Sequence, residues 1–246
     1  MRAEMGVGAK KRALVIGAGG LGCAVLPLLA RAGLETVVLD DDTVSLSNLQ
    51  RQLLFATADL GRPKADAAAE RVRALVPGAS VEARLERLTP EHAFDLLEGI
   101  DVVVDGSDNF PTRFLVNDAC VLTGTPLVHG AILRFTGQVM SVRPSETACY
   151  RCLFEEPPPA GVVPSCAEAG VLGALCGIVG AWMAWSATSL LSGADAGNDL
   201  IVHDALAGTT RVVGLGRDPA CAVCGNTPSI RSLLTERYVE AQACVA

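Results

Sequence analysis

Apolar runs and amphipathic stretches alternate through the first half of the chain. "RALVIGAG" has the pattern of a buried strand, and its glycines open a helix over 20–32. "TVVLD" (36–40) predicts a second strand. "SNLQRQLL" (47–54) reads as a short helix with Ser47 near its cap, and 64–76 reads as a longer one. "SVEARLERL" (80–88) alternates as a strand does, 90–98 is helical after Pro90, and "DVVVDGSD" (101–108) is a strand running into an acidic loop. Residues 109–122 predict a helix and "PLVHGAIL" (126–133) another strand.

This β-α-β order implies an α/β fold built on a doubly wound, mainly parallel sheet, with ligand loops at the strand C-termini. After Gly137 the pattern changes. "GQVMSVRP", "DLIVHDAL" and "TTRVVGL" are strand-like and separated by turn signals, which predicts antiparallel strands added to the same sheet. "EEPPPAGVVPS" (155–165) holds four prolines and predicts an exposed, mobile loop. With no repeat and no clear linker, a single domain over 1–246 is expected.

The stretch 169–194 contains no charge and is long enough to span a bilayer. It also contains five glycines and several Ser, Thr and Cys, and no basic cluster flanks it. In a chain whose strands need covering helices, it reads as a buried or subunit-interface helix.

Composition narrows the function classes. Half of the 246 residues are hydrophobic and 19% are charged, enough for a substantial core and against global disorder. A net charge of −7 argues against a protein held to nucleic acid through phosphate contacts. The N-terminal basic residues Arg2, Lys10, Lys11 and Arg12 precede only a short apolar run that turns into the glycine loop, so no secretory signal is expected. Nine cysteines in such a chain indicate a reducing, cytoplasmic location, where clustered thiols serve metal or thiol chemistry.

Gly17, Gly19 and Gly22 form G-x-G-x-x-G after a strand, and Asp40 lies 18 residues beyond the third glycine. Such a loop turns backbone N–H groups and a helix N-terminus toward phosphate, and Asp40 is placed for ribose hydroxyls. The loop does not choose among NAD, FAD, S-adenosylmethionine and ATP. "DDDTVSLSNLQRQ" then supplies Asn48 and Arg51, and "GRPKA" supplies Lys64 at a helix start. Two cations exceed what the two phosphates of NAD require and suit a triphosphate whose pyrophosphate must leave. Asp105 and Asp108 stand at a strand end, where a carboxylate can hold Mg²⁺, and Asp108 or Asn109 can also cap the following helix. Cys149 and Cys152 form "CYRC", and Cys221 and Cys224 form "CAVC", with 68 residues between the pairs. Two such knuckles favour a closed tetrahedral, structural Zn²⁺ site over redox chemistry.

Taken together, "GAGGLG", "LDDDTVSLSNLQRQ", "GRPKA", "DGSDN", "CYRC", "CAEAG" and "CAVC" resemble the MoeB/ThiF/HesA family, the E1-like enzymes that activate ubiquitin-like sulfur carriers. The resemblance runs from about residue 12 to residue 224. It implies a Rossmann-like sheet continuing into antiparallel strands, usually in a homodimer. It further implies Mg-ATP-dependent adenylation of the C-terminal glycine carboxylate of a small carrier ending in Gly-Gly, for thiamine, molybdopterin or related sulfur chemistry. On this reading 12–135 is the nucleotide-binding half, and 136–246 is the carrier-binding and zinc half. Gly17, Gly19, Gly20 and Gly22 would face the nucleotide and Asp40 the ribose. Ser47, Asn48, Leu49, Gln50 and Arg51, together with Lys64, would hold phosphates, and Asp108 beside Asn109 would anchor Mg²⁺.

Cys166, in "SCAEAG", matches a cysteine that joins the activated carrier or carries sulfur in related enzymes. Cys23, Cys120 and Cys176 fall in apolar stretches and read as buried, inert thiols, and His92, His129 and His203 have no role in this chemistry. The chain departs from the family pattern by starting directly before its first strand, without an "R-Y-x-R-Q"-like stretch. It also shows no rhodanese-like domain after Cys224, so sulfur is expected from a separate sulfurtransferase or cysteine desulfurase. Three further readings remain: a nucleotide-binding scaffold without turnover, a peptide-modifying adenylating enzyme on the same fold, and an NAD-linked oxidoreductase. The last leaves Arg51, Lys64, Asp108 and the cysteine pairs without a purpose.

Overall fold

β1 (Arg12–Ile16) lies inside the sheet because Ala13, Leu14, Val15 and Ile16 are all buried, so both of its faces need cover. The computed structural model describes residues 10–159, 162, 170–194 and 199–238. The other strands are β2 (Glu35–Leu39), β3 (Val81–Arg84), β4 (Val102–Asp105), β5 (Leu127–Leu133), β6 (Thr136–Val142), β7 (Asp199–Asp204) and β8 (Thr209–Gly214). They form one eight-stranded sheet in the order β3-β2-β1-β4-β5-β6-β7-β8. Pairing is parallel from β3 to β5 and antiparallel from β5 to β8, as the change of pattern after Gly137 predicts.

Two helical layers cover the sheet from β3 to β6, whereas β8 is exposed along its whole length. α1 (Gly20–Arg31), α2 (Lys64–Leu75) and α6 (Gly173–Leu191) pack on the face that presents Val15, Val38, Val104, Val128 and Val139. α3 (Ala93–Leu97), α4 (Phe110–Thr123) and α5 (Tyr150–Leu153) pack on the face that presents Leu14, Ile16, Val37, Val103 and Met140. Period-two alternation is therefore present, but it separates two apolar cores instead of a core from solvent.

Three expected elements are shorter in the structure. Within 47–54 only the end of a one-turn helix (Leu46–Asn48) forms. Asn48 O then accepts from both Arg51 N and Gln52 N, which curls the chain into turns, and Leu53 stays exposed. The strand expected over 80–88 ends at Arg84, because its one neighbour, β2, ends at Leu39 opposite it. The helix expected over 90–98 is only Ala93–Leu97. Part of the proline-rich loop, Cys166 and Cys244 lie outside the described residues.

α6 is long and apolar enough to cross a membrane by length and composition, yet half of its apolar window is buried against the rest of the fold. Glycines bring it close. A Cβ on Gly180 would stand 2.5 Å from the Ala24 Cβ on α1, while Gly130 and Gly137 leave room for Met183 and Val179. Such contacts deny space to any side chain, and overpacking here forces backbone movement. Gly180→Val is expected to separate α1 from α6 and cost about 2 kcal/mol or more, read as a lower urea midpoint at an unchanged slope.

Candidate nucleotide site and metal centre

β1 and β4 are neighbours, but the chain leaves β1 toward β2 and β3 on one side and returns to β4 on the other. A crevice opens at the C-terminal ends of strands where the order reverses in this way. The glycine loop lies there. Gly17 has a φ of +89°, and Gly22 packs against the Gly17 carbonyl so closely that no Cβ fits. Gly19 caps α1 without a side-chain hydrogen bond, so the first N–H groups of this helix face the crevice. On the other wall, the Gly106 carbonyl stands 3.3 Å from where a Gly17 Cβ would be.

Asp40, one residue past β2, turns back to this loop. Its Oδ2 accepts from Ala18 N at 2.7 Å and its Oδ1 from Asp42 N at 2.9 Å. Burial pushes its pKa up, and the Lys64 charge and the two N–H groups offset only part of that rise. Lys64 opens α2 and is itself buried, with Nζ on Asp42 Oδ2 at 2.7 Å. Because the Asp42 side chain is 67% exposed, a more highly charged ligand can take Lys64 over at little cost. Arg51 Nη2 donates to Asn48 Oδ1 at 2.8 Å, and Asn48 Nδ2 donates to Ser45 Oγ at 2.6 Å. Ser47 Oγ lies 3.2 Å from Ser45 Oγ, and the Arg51 Cγ is 3.6 Å from the Cβ position of Gly20. The Gln50 carbonyl packs on Gly173 of α6, and Leu49 is half-buried against the core.

The acidic loop divides its labour. Asn109 caps α4, its Oδ1 accepting from Thr112 N at 2.9 Å, which leaves Asp108 exposed at the crevice. One open carboxylate beside a phosphate site is what Mg²⁺ uses when it keeps most of its waters. Asp105 is wholly buried instead. Its Oδ2 meets His129 Nδ1 at 2.8 Å, and its Oδ1 accepts from Ser107 N at 2.9 Å. Burial raises the Asp105 pKa, but the hydrogen bond and charge of His129, with Arg113 and Ser107 N, outweigh it and leave the carboxyl below its ordinary range. His129 thus has a structural partner. His203 shares a hydrogen bond with Thr210 and His92 with Thr89.

Four cysteines meet on the far side of α4. Sγ separations are 3.6 Å for Cys149–Cys221, 3.4 Å for Cys152–Cys224 and 4.0 Å for Cys149–Cys152. All four sulfurs lie within 4.8 Å of one another. Zn–S bonds of about 2.3 Å in a tetrahedron require sulfurs about 3.8 Å apart, so these residues fit Zn²⁺. Arg151, between the first two cysteines, forms a bidentate pair with buried Asp118 at 2.8 and 2.8 Å, and Tyr238 Oη donates to the same carboxylate at 2.8 Å. Asn117 Oδ1 accepts from Tyr150 N at 2.8 Å. The knuckle is therefore clamped to α4. Cys23 is pushed up to about 12 by burial, and Cys120 is raised in the same way, as inert core thiols are.

No sequence signal singles out Gln52 or Ser107. Both are buried, and among the described residues Gln52 Oε1 and Ser107 Oγ have no hydrogen-bond partner. Each adjoins a motif residue, but burial without a partner leaves no trace in sequence.

Residues 8–223 match the ThiF family. The chain is 50% identical over 230 residues to the sulfur carrier protein adenylyltransferase of Thermus thermophilus, covering 90% of this chain and 84% of that protein. It is 46% identical to the SAMP-activating enzyme E1 of Haloferax volcanii, covering 94% of this chain and 86% of that one. Against the probable adenylyltransferase/sulfurtransferase MoeZ of Mycobacterium tuberculosis it is 43% identical and spans 60% of the longer protein. Among solved structures, E. coli MccB with ATP superimposes with a TM-score of 0.74 at 21% identity, over 87% of this chain and 67% of that one.

Two outcomes are expected from this geometry. Arg151→Met leaves the Asp118 carboxylate buried without its cation, and chemical denaturation should show a loss of about 3–5 kcal/mol. The depressed Asp105 carboxyl stabilises the fold above its ordinary pKa of 3.8, and that contribution is lost as pH falls through its lower folded value. Unfolding followed from pH 6 down to about pH 2 should therefore show a smaller loss of stability for Asp105→Asn than for the wild type across that acidic window.

Proposed function

The chain belongs to the ThiF family, and on that premise we propose that it adenylates the C-terminal glycine carboxylate of a small ubiquitin-like sulfur carrier at the expense of Mg-ATP. The observation that supports this reading most is the meeting of Asp40, Arg51 and buried Lys64 around one glycine loop at the strand ends. Two relatives named for carrier adenylation or activation point the same way.

In this reading Asp40 receives the ribose, and Gly17, Gly19, Gly20 and Gly22 let the phosphates approach the α1 N-terminus. The segment Ser47–Asn48–Leu49–Gln50–Arg51 frames the phosphates. The carrier carboxylate attacks the α-phosphorus and the bond to pyrophosphate breaks. Arg51 exchanges Asn48, and Lys64 exchanges Asp42, for the charge that grows on the leaving group. Asp108 holds Mg²⁺, which when bound offsets phosphate charge, while Asn109 secures the helix behind it. Positioning and charge neutralisation supply most of the rate, so no general base is required. Zn²⁺ on Cys149, Cys152, Cys221 and Cys224 is structural, since four thiolates leave no open position. Cys166 is the candidate for thioester or persulfide chemistry after adenylation, with sulfur from a separate sulfurtransferase or desulfurase.

We place both halves, 12–135 and 136–246, in one cytoplasmic unit that works as a homodimer. The support is a stripe of exposed small and apolar residues along α6: Ala174, Gly177, Ile178, Ala181 and Trp185 at helical spacing. With Trp185 at 54% and Ile178 at 40% exposure, this face suits a second copy.

Mg-dependent ATP–pyrophosphate exchange, measured with carriers ending in Gly-Gly, tests the activity. Exchange should appear with one carrier and fall at least about 100-fold in Lys64→Ala, with Asp108→Ala as the blank. No exchange with any carrier despite ATP binding would sink the reading. For the dimer, light scattering after gel filtration should show twice the chain mass for the wild type and a monomer for Trp185→Glu.

A further inference from the structure

Gln52 is 2% exposed, and its Oε1 has no hydrogen-bond partner among the described residues. Its Nε2 points at the glycine loop, 3.8 Å from where a Cβ on Gly19 would stand. A buried amide left in this state weakens the ligand-free fold, and natural proteins keep few such groups without a reason. The backbone shows that the placement is built: Gln52 N bonds to Asn48 O and Phe55 N bonds to Gln52 O, so the residue is pinned inside the turns that also carry Arg51. Arg51 beside it has a side-chain partner in Asn48, and Lys64 has one in Asp42. Among the described residues of this wall, Gln52 is the buried polar side chain that lacks one.

We propose that Gln52 is a further nucleotide-binding residue, completed only when Mg-ATP lies across Gly19. This rests on the adenylation reading. A carboxamide matches the ligand's own surface, because it can donate to a phosphate oxygen and accept from a ribose hydroxyl. The residue is uncharged and makes no demand on the metal. Its contribution is to fix the nucleotide against the glycine loop while Arg51 and Lys64 neutralise it.

A ligand-satisfied residue and a structural one differ in sign. If Gln52 serves the nucleotide, replacing it with an apolar side chain of similar volume weakens binding and stabilises the free protein. A residue needed by the fold does the opposite on stability. The experiment is calorimetric titration of Mg-ATP into wild type, Gln52→Met and Gln52→Leu without carrier, alongside thermal melts with and without nucleotide. The expected result is a Kd raised about tenfold or more in both variants. The ligand-free melting temperature should rise by about 2–4 °C in Gln52→Met, the variant nearest in volume. Gln52→Glu, which sets a carboxylate against phosphate, should bind more weakly still.

Wild-type binding with unchanged Kd in both apolar variants overturns the inference and leaves adenylation standing. A lower melting temperature in both with unchanged affinity assigns Gln52 to the fold and overturns it as well. Failure of the wild type to bind Mg-ATP overturns the adenylation reading and this inference together.

Discussion

The contact between the Gly17 carbonyl and Gly22 sets the course of everything around the crevice. Without side chains at either position, the chain leaves β1 and enters α1 within a few residues, and the helix packs down onto the strand it followed. That close turn brings Ala18 N within reach of Asp40 and sets Gly17 against the Gly106 carbonyl. Three strand ends thereby share one small volume. A bulkier residue in the turn would lift α1, and α6, which rests on α1 through Gly180, would lift with it.

Charge is handled by the same economy of contact. On the crevice side, cations are buried or half-buried but parked on exchangeable partners: Lys64 on an exposed aspartate and Arg51 on an amide. On the opposite face, Asp118 is closed off by Arg151 and Tyr238. The first arrangement leaves electrostatic free energy available to a ligand, and the second commits it to the fold. On the proposed function, that contrast is one between a binding wall and a structural clamp. The two regions are also joined, since Tyr150 of the cysteine knuckle packs on His129, which holds Asp105, which holds the Ser107 amide beside the glycine loop.

The order of strands and helices was legible because each element has its own apolar period, and the switch to antiparallel pairing after Gly137 was legible from turn signals. Residues 47–54 have helical spacing, yet only Leu46–Asn48 forms a helical turn, because hydrogen bonds to Asn48 O and contact with Gly173 hold the rest in turns. β3 is shorter than its alternating pattern because a strand extends only as far as its neighbour pairs with it. The cysteine pairs could be read as one cluster, since metal-ligand spacing is a local property, and the structure brings the four sulfurs together.

By itself, then, the sequence determined the kinds of elements, their order, the glycine turn and the chemical types available to the crevice. These follow from local periodicity and from backbone freedom that only glycine offers. Tertiary structure alone decided that Asp105 faces inward to His129 while Asp108 faces outward, although the two lie three residues apart on one loop. It also decided that α6 buries half of its length against α1 and the sheet, and that Gln52 is sealed beside Gly19 with an empty acceptor. Burial and hydrogen-bond satisfaction belong to the assembled fold, because each depends on which distant residues arrive next to a group.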